Sequence, residues 1–437
     1  MNAKFDELRA KYPVFTYEDF KYYVENGALN LQFFFRIGDE IAFSPKMSLH
    51  AGKHAPDWSS FDMDSLKSVV FNIGLIELIS YWKCACCPTI DIKPFALNDD
   101  QQWWWRKLYW YGLGEFFYRN SIETDPMSFL SFRFSGNARP ASELKCPSVG
   151  ESDAVIVPVG GGKDSVVTLE ELRRDRQVVP FIINPRGATI DCARTAGFTS
   201  EEEILVLKRQ IDPKLLELNA QGYLNGHTPF SAMLAFYTTL LSTVTGIRDV
   251  ALSNESSANE PTIPGTKINH QYSKSLEFER DFREYVKDFM SDCNHYYSYL
   301  RPLTELQIAK RFSKYPQYFH VFKSCNAGSK ENKWCGKCPK CLFAYIILSP
   351  FIDDEVMQSI FGTDMLNDKE MLQTFDELAG FSKIKPFECV GTVNEVNEAM
   401  SRIVGTHGDK LLVKHFVNEK LLQMESDMLD EYYNMAP

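Results

Sequence analysis

Val155 to Leu169 reads VIVPVGGGKDSVVTL. Its apolar, mostly β-branched start predicts a buried strand, and its end an amphipathic helix. Between them stand Gly160, Gly161 and Gly162, then Lys163, Asp164 and Ser165. Consecutive glycines let the backbone turn sharply and bring N–H groups against an anion with no Cβ in the way. The N-terminus of the following helix turns its partial positive charge to the same spot. Lys163 adds a full charge and Ser165 a hydroxyl, so the six residues read as a loop for a polyphosphate. It is not a Walker A loop. That pattern requires glycine where Val157 stands, and Ser or Thr where Asp164 follows the lysine. A turn serving only helix–strand packing would account for the glycines but not for the Lys-Asp-Ser run.

Around this loop, short apolar runs alternate with helical patterns. Ala154–Val159, Val178–Ile183, Ile204–Leu207 and Asp249–Ser253 read as strands. Lys163–Arg174, Phe230–Thr245 and Lys274–Met290 read as helices. Such alternation predicts an α/β fold with a doubly wound, mostly parallel sheet, assigned here to residues 149–349. Residues 1–148 read as an N-terminal, aromatic-rich α+β domain. Its features are a strand through Leu31, Phe33 and Phe35, another at Ile41–Phe43, a helix carrying Leu66, Val69, Val70, Ile73 and Ile76, and a helix over Asp100–Arg119. The tryptophans of that last helix read as core before they read as a stacking surface. Ser135–Gly150 reads as a linker, and residues 350–437 as a small helical unit.

The chain has 437 residues, 44% hydrophobic and 24% charged, which excludes a disordered or collagen-like polymer. A net charge of −11 argues against a nucleic-acid partner or an anionic membrane surface, though not against a local basic pocket. A small-molecule substrate is the expectation; the oligomeric state is not readable. The longest apolar stretch, Val69–Trp82, contains Asn72 and Glu77 and falls short of the ~20 residues a membrane span needs. The first twenty residues include Asp6, Glu7, Glu18 and Asp19 and no apolar signal region, so a cytoplasmic location is expected.

GGKDS at Gly161–Ser165 resembles the PP-loop of the ATP pyrophosphatase superfamily, usually SGGxDS. The resemblance implies an enzyme that splits ATP into AMP and diphosphate and transfers AMP to an oxygen of its substrate. It also implies that the loop backbone, Lys163 and Ser165 hold the diphosphate end, with Asp164 near magnesium. Gly160 replaces the usual serine, which removes one hydroxyl contact. Two neighbouring stretches lie where doubly wound folds bind nucleotides, beyond strand C-termini. Asn184 to Asp191 reads NPRGATID, in which Asn184 or Arg186 is either an adenosine contact or part of a plain surface loop. Asn254 to Asn259 reads NESSAN and puts Asn254 and Glu255 at a strand end, as site residues or as an ordinary polar turn.

Eleven cysteines without an export signal suggest thiols or metal ligands before disulfides. Cys325, Cys335, Cys338 and Cys341 have the spacing C-x9-C-x2-C-x2-C, which predicts a tetrahedral, structural zinc site, with an iron–sulfur cluster as the second choice. A similar CGxCxxC site occurs in 7-cyano-7-deazaguanine synthase, itself a PP-loop enzyme. Cys84, Cys86 and Cys87 lie too close together for such a cage and read as buried.

Asn269 to Glu279 reads NHQYSKSLEFE. His270 and Lys274 are four apart and would share a face if the helix began that early; a solvated helix start capped by Ser273 is the alternative. Pro386 to Gly391 reads PFECVG and puts Cys389 in a loop, as a reactive thiol or a small buried hydrophobe. NESSAN, NHQYSKS, CGKCPKC and PFECVG, in this order behind a PP-loop, resemble the ATP-dependent UDP-N-acetylmuramoyl-L-alanyl-L-glutamate epimerase family. That resemblance implies inversion of the terminal L-glutamate of a UDP-muramoyl dipeptide, with ATP and magnesium consumed or bound at the loop. His270, Lys274 and Cys389 are then the candidates for proton transfer. The alternatives are a ligase of the deazaguanine or tRNA-modifying type, which would not need the large first domain, and a non-catalytic nucleotide-binding scaffold.

Overall fold

A computed structural model describes residues 3–135, 138–144, 148–260, 269–290 and 293–435. Among these residues one sheet has eleven strands: β1 (Val14–Glu25), β2 (Ala28–Ile37), β3 (Ile41–Phe43), β4 (Lys46–His50), β5 (Thr89–Ile92), β6 (Ser131–Arg133), β7 (Ala154–Pro158), β8 (Gln177–Ile183), β9 (Leu205–Gln210), β10 (Asp249–Leu252) and β11 (His295–Ser298). Their order is β11-β10-β7-β8-β9-β4-β2-β1-β5-β6, with β3 paired to β2. From β11 to β9 every pairing is parallel. Within that block the chain order is 3-2-1-4-5, so the direction of winding reverses between β7 and β10. A crevice opens there at the strand C-termini, where ligands bind in open α/β sheets.

The strands of residues 1–148 extend this same sheet. β4 pairs antiparallel with β9, Leu49 opposite Leu207, and leads through β2 and β1 to the parallel edge β5–β6. Alternate residues of β7 serve opposite faces. Val155 and Val157 join one apolar cluster, while Ala154 and Ile156 join the other, which also holds Phe15, Phe33 and Leu49. Burial on both faces explains the near-continuous apolar run read in the sequence. Of the expected linker, residues 136–137 and 145–147 lie outside the described residues.

The helices that pack on the sheet and shape its crevice include α1 (Lys67–Trp82), α2 (Asp99–Gly112), α3 (Gly114–Arg119), α4 (Lys163–Leu172), α5 (Phe230–Thr245), α6 (Leu276–Tyr285), α7 (Glu305–Phe312), α8 (Pro339–Leu348) and α9 (Val393–His407). α1 is the apolar stretch too short to span a bilayer, and it is buried from Ser68 to Trp82. Its Glu77 carboxylate is answered by a bidentate Arg209 at 2.6 and 2.9 Å and by the Tyr237 hydroxyl. A carboxylate in such a place survives only because it is paired and hydrogen-bonded. No helix among the described residues is long and apolar enough to cross a membrane.

Two helix readings are corrected. The helix expected over Asp100–Arg119 breaks at Leu113, between Gly112 and Gly114, into α2 and α3. Trp105 of α2 is core, stacked on Phe236 with centroids 5.3 Å apart, whereas Trp103 is exposed. The helix expected from Lys274 begins at Leu276, because Ser275 and not Ser273 caps it, its hydroxyl accepting from the Phe278 amide at 3.2 Å. Beyond residue 350 the chain is helical, and α9 packs on α8. This places the loop before α9 over the crevice.

Candidate active site

The crevice is a cavity of about 430 Å³. Gly160, Gly162, Lys163, Asp164 and Ser165 line it from the β7–α4 turn, Leu252 to Asn254 from the end of β10, and Lys274 and Cys389 from across the sheet. Lys163, Arg186, Lys274, Lys323, Lys333 and Lys340 face it, against the carboxylates of Asp164 and Glu305. In a chain of net charge −11 this is a local basic pocket, suited to an anionic ligand.

The glycine loop has the geometry its composition implies. Gly161 has φ +83°, and a Cβ there would lie 2.8 Å from the Ala188 backbone. Its carbonyl accepts from the Lys323 amide at 2.7 Å, so the loop is clamped from outside while its other side faces the cavity. The Ser165 hydroxyl donates to the Gly162 carbonyl at 2.9 Å. Lys163 is not a free cation. Its ammonium is buried between Asp164, at 2.5 Å, and Glu305 of α7. Burial opposes its charge, but the two carboxylates hold its pKa above the usual lysine value; burial likewise raises Glu305 against the pull of Lys163. Glu305 was not picked out by sequence reasoning. Its one signal was a carboxylate at the start of a helix, in PLTELQ after Arg301.

Asn184 and Arg186 separate. Arg186 lines the cavity, whereas Asn184 lies outside the lining and clamps β9, accepting from the Arg209 amide at 2.7 Å and donating to its carbonyl at 3.1 Å. Asn254 lines the cavity and donates to Ser298 at 3.1 Å. Glu255 is buried beside it; its carbonyl accepts from Arg301 at 2.8 Å and its carboxylate from Ser257 at 3.1 Å.

His270, Lys274 and Cys389 meet, although not on a shared helix face. His270 lies in a turn, and Lys274 ends the short 3-10 turn Tyr272–Lys274, its carbonyl held by Arg301 at 2.6 Å. Both stand beside Cys389 and favour its anion. The loop that carries the thiol is fastened at several points. Gln271 donates to the Val390 carbonyl at 3.4 Å and Lys385 to that of Gly391 at 2.9 Å. A Cβ on Gly391 would strike the Phe343 ring and the Glu395 carboxylate. Glu395 in turn closes the capping box of α9 with Thr392 and accepts from the Glu305 amide at 2.8 Å, tying α9 to α7. Burial alone would raise the Cys389 thiol. Lys274, the His270 hydrogen bond and Lys340 overcome it and bring it down to about 6. For His270 burial acts the other way, and its bonds to Cys389 and Glu115 raise it to about 9. At neutral pH the pair is therefore thiolate and imidazolium.

Glu115 and His227 behind His270 were also missed. Glu115 sits in the aromatic α3 and His227 in a loop, with nothing in either local pattern to mark a site. A carboxylate and two imidazoles within 4.8 Å of one another also match a metal ligand set. Here Arg119 at 2.6 Å from Glu115 already supplies the cation, and the His270–Glu115 contact of 2.5 Å is a hydrogen bond.

The four-cysteine cluster adjoins the cavity through Cys325. Its sulfurs lie 3.8 Å (Cys325–Cys338), 3.6 Å (Cys335–Cys341) and 3.5 Å (Cys338–Cys341) apart. Arms of ~2.3 Å around one tetrahedral ion set donors about 3.8 Å apart, so the thiols fit a single zinc and not a multi-iron cluster. The Gly328 amide donates to Cys325 at 3.1 Å, an outer hydrogen bond of the kind that orients a metal-binding thiolate. Cys84, Cys86 and Cys87 are buried, as read, at the end of α1.

A glycine loop at the switch point of a parallel sheet, and a thiol and an ammonium lining one cavity with an imidazole behind them, are the equipment of an α/β enzyme. Residues 6–299 match the MurL N-terminal domain and residues 321–430 the MurL C-terminal domain. Three relatives carry the name UDP-N-acetyl-alpha-D-muramoyl-L-alanyl-L-glutamate epimerase. The one from Xanthomonas oryzae pv. oryzae is 35% identical over 82% of this chain and 79% of its own. Those from Salinispora tropica and a Micromonospora species are 37% and 36% identical, each over 77% of this chain and 73% and 75% of their own. The chain belongs to the UDP-N-acetyl-alpha-D-muramoyl-L-alanyl-L-glutamate epimerase family. No solved structure matches it.

Proposed function

We propose that the protein inverts the terminal L-glutamate of UDP-N-acetylmuramoyl-L-alanyl-L-glutamate to D-glutamate, a step in peptidoglycan precursor synthesis, using ATP and releasing AMP and diphosphate. It does so in the cytoplasm, where ATP is at hand. The observation that supports this reading is that the glycine loop, Lys274 and Cys389 line the same basic cavity. An activating step and a proton transfer can thus act on one bound molecule.

The chemistry requires both. A free carboxylate resists loss of its α-proton, because the carbanion would form beside an existing negative charge. In the first step an oxygen of the glutamate carboxylate attacks the α-phosphorus of ATP, and the bond to diphosphate breaks. Loop N–H groups and the N-terminus of α4 receive the phosphate charge, in the manner of the PP-loop superfamily. Asp164, on the cavity wall, would hold a magnesium ion, which would neutralise phosphate charge there. The acyl adenylate lets the α-carbanion delocalise as an enolate. The Cys389 thiolate takes the α-proton and the Lys274 ammonium, kept charged against burial by Cys389, Glu255 and Asp164, returns one. Water then cleaves the acyl–AMP bond, which makes the inversion effectively one-way.

In heavy water the D-glutamyl product should carry deuterium at the α-carbon, with one AMP formed per inversion. Inversion without ATP, or with ADP and phosphate as products, would overturn the adenylate route.

A further inference from the structure

Glu115 is a charged residue on a short aromatic helix, 7% exposed at its side chain and outside the cavity lining. A buried carboxylate of this kind is rare without a partner and strongly destabilising if left alone. It has three. Oε1 pairs with Nε of Arg119 at 2.6 Å, and Oε2 faces Nδ1 of His270 at 2.5 Å and Nδ1 of His227 at 3.5 Å. With Nδ1 of His270 taken by the carboxylate, Nε2 is the ring nitrogen left to face Cys389. We propose that Glu115 is a positioning residue which, through its bond to Nδ1, fixes the His270 ring beside the loop that carries Cys389, a loop that Gln271 ties to the same turn.

The other groups around the chain fit this assignment. Cys389 faces Lys274 and Lys340 besides His270. His227 stands with its ring 4.5 Å from that of His270, and burial, with His270 beside it, pulls it down to about 3, so it stays neutral and adds no competing charge. Arg119 and Lys83 face Glu115; Lys83 also holds the Gly226–Thr228 segment that carries His227. Burial, which would neutralise the carboxylate, is outweighed first by His270 and then by Arg119. The inference rests on Cys389 acting as an anion, not on which substrate it meets.

The test uses the full chain without substrate. Alkylation of Cys389 by iodoacetamide is followed across pH, with the Cys389 peptide resolved by mass spectrometry. With the His270 ring no longer held in its charged form, the thiol midpoint should rise by about one unit, so Glu115→Gln should slow alkylation about tenfold at pH 5 and about twofold at pH 7. Glu115→Asp should fall between. In a His270→Asn background, Glu115→Gln should add nothing. A wild-type midpoint in Glu115→Gln, or an equal further shift in the His270→Asn background, would overturn the proposal. Should Glu115→Gln fail to fold, Glu115→Asp decides: an intermediate midpoint supports the proposal and an unmoved one overturns it. Because no substrate is present, failure of the epimerase reading would leave this result standing.

Discussion

Cys389 shows how far neighbouring charges can reverse the effect of burial. The thiol lies low, at about 6, because Lys274 and then His270 favour its anion, and the imidazole high, at about 9, because Cys389 and Glu115 favour its cation. If the thiolate is the base and the imidazolium its support, kcat/KM for inversion should rise as pH passes about 6 and fall as it passes about 9. A pH–rate profile with limbs near those two values is the expected result. Cys389→Ser should abolish α-deuterium incorporation. His270, Lys274 and Cys389 were legible as candidates because each stands in a stretch crowded with groups that a plain turn does not need. Glu115 was not, since its partner His270 is 155 residues away and its own surroundings read as aromatic core.

The junction of α4 and α7 changes what the loop lysine is expected to do. A lysine serving phosphates alone would be removable without harm to the fold. Lys163 instead neutralises Glu305, which is 5% exposed at its side chain. Lys163→Ala should therefore destabilise the protein by about 3–5 kcal/mol, the usual penalty for stranding one partner of a buried pair. Lys163→Ala with Glu305→Gln should recover most of that stability in a denaturant titration while remaining without ATP turnover. Unchanged stability in the single variant would mean the pair is not formed. The parallel strands and the helices between them were readable because burial on both faces leaves continuous apolar runs. The pairing of β4 with β9 was not, because alternation marks a strand but does not name its neighbour. For the same reason the strands of residues 1–148 read as belonging elsewhere, although they lengthen the central sheet.

Taken whole, the molecule gathers its cavity from distant parts of the chain: the glycine loop, the NHQYSKS turn, the cysteine cluster and the loop before α9. The cluster forms one wall, since Lys323, Lys333 and Lys340 surround its cysteines and face the cavity. About one zinc per chain should co-purify, measurable by elemental analysis. Cys338→Ser should release it and lower the melting temperature, because binding energy at such a site is folding energy. Active protein free of zinc and iron would refute this.

The bond from Glu395 to the Glu305 amide also has a bearing on biosynthesis. A ribosome completes the glycine loop more than two hundred residues before it reaches Cys389 and Glu395. At ordinary elongation rates that interval lasts about 10–40 s. Throughout it the nascent chain has the loop but neither the thiol nor the carboxylate that locks α7 in place. A polypeptide released early is therefore inert in proton transfer, and competence arrives only with the final stretch of translation.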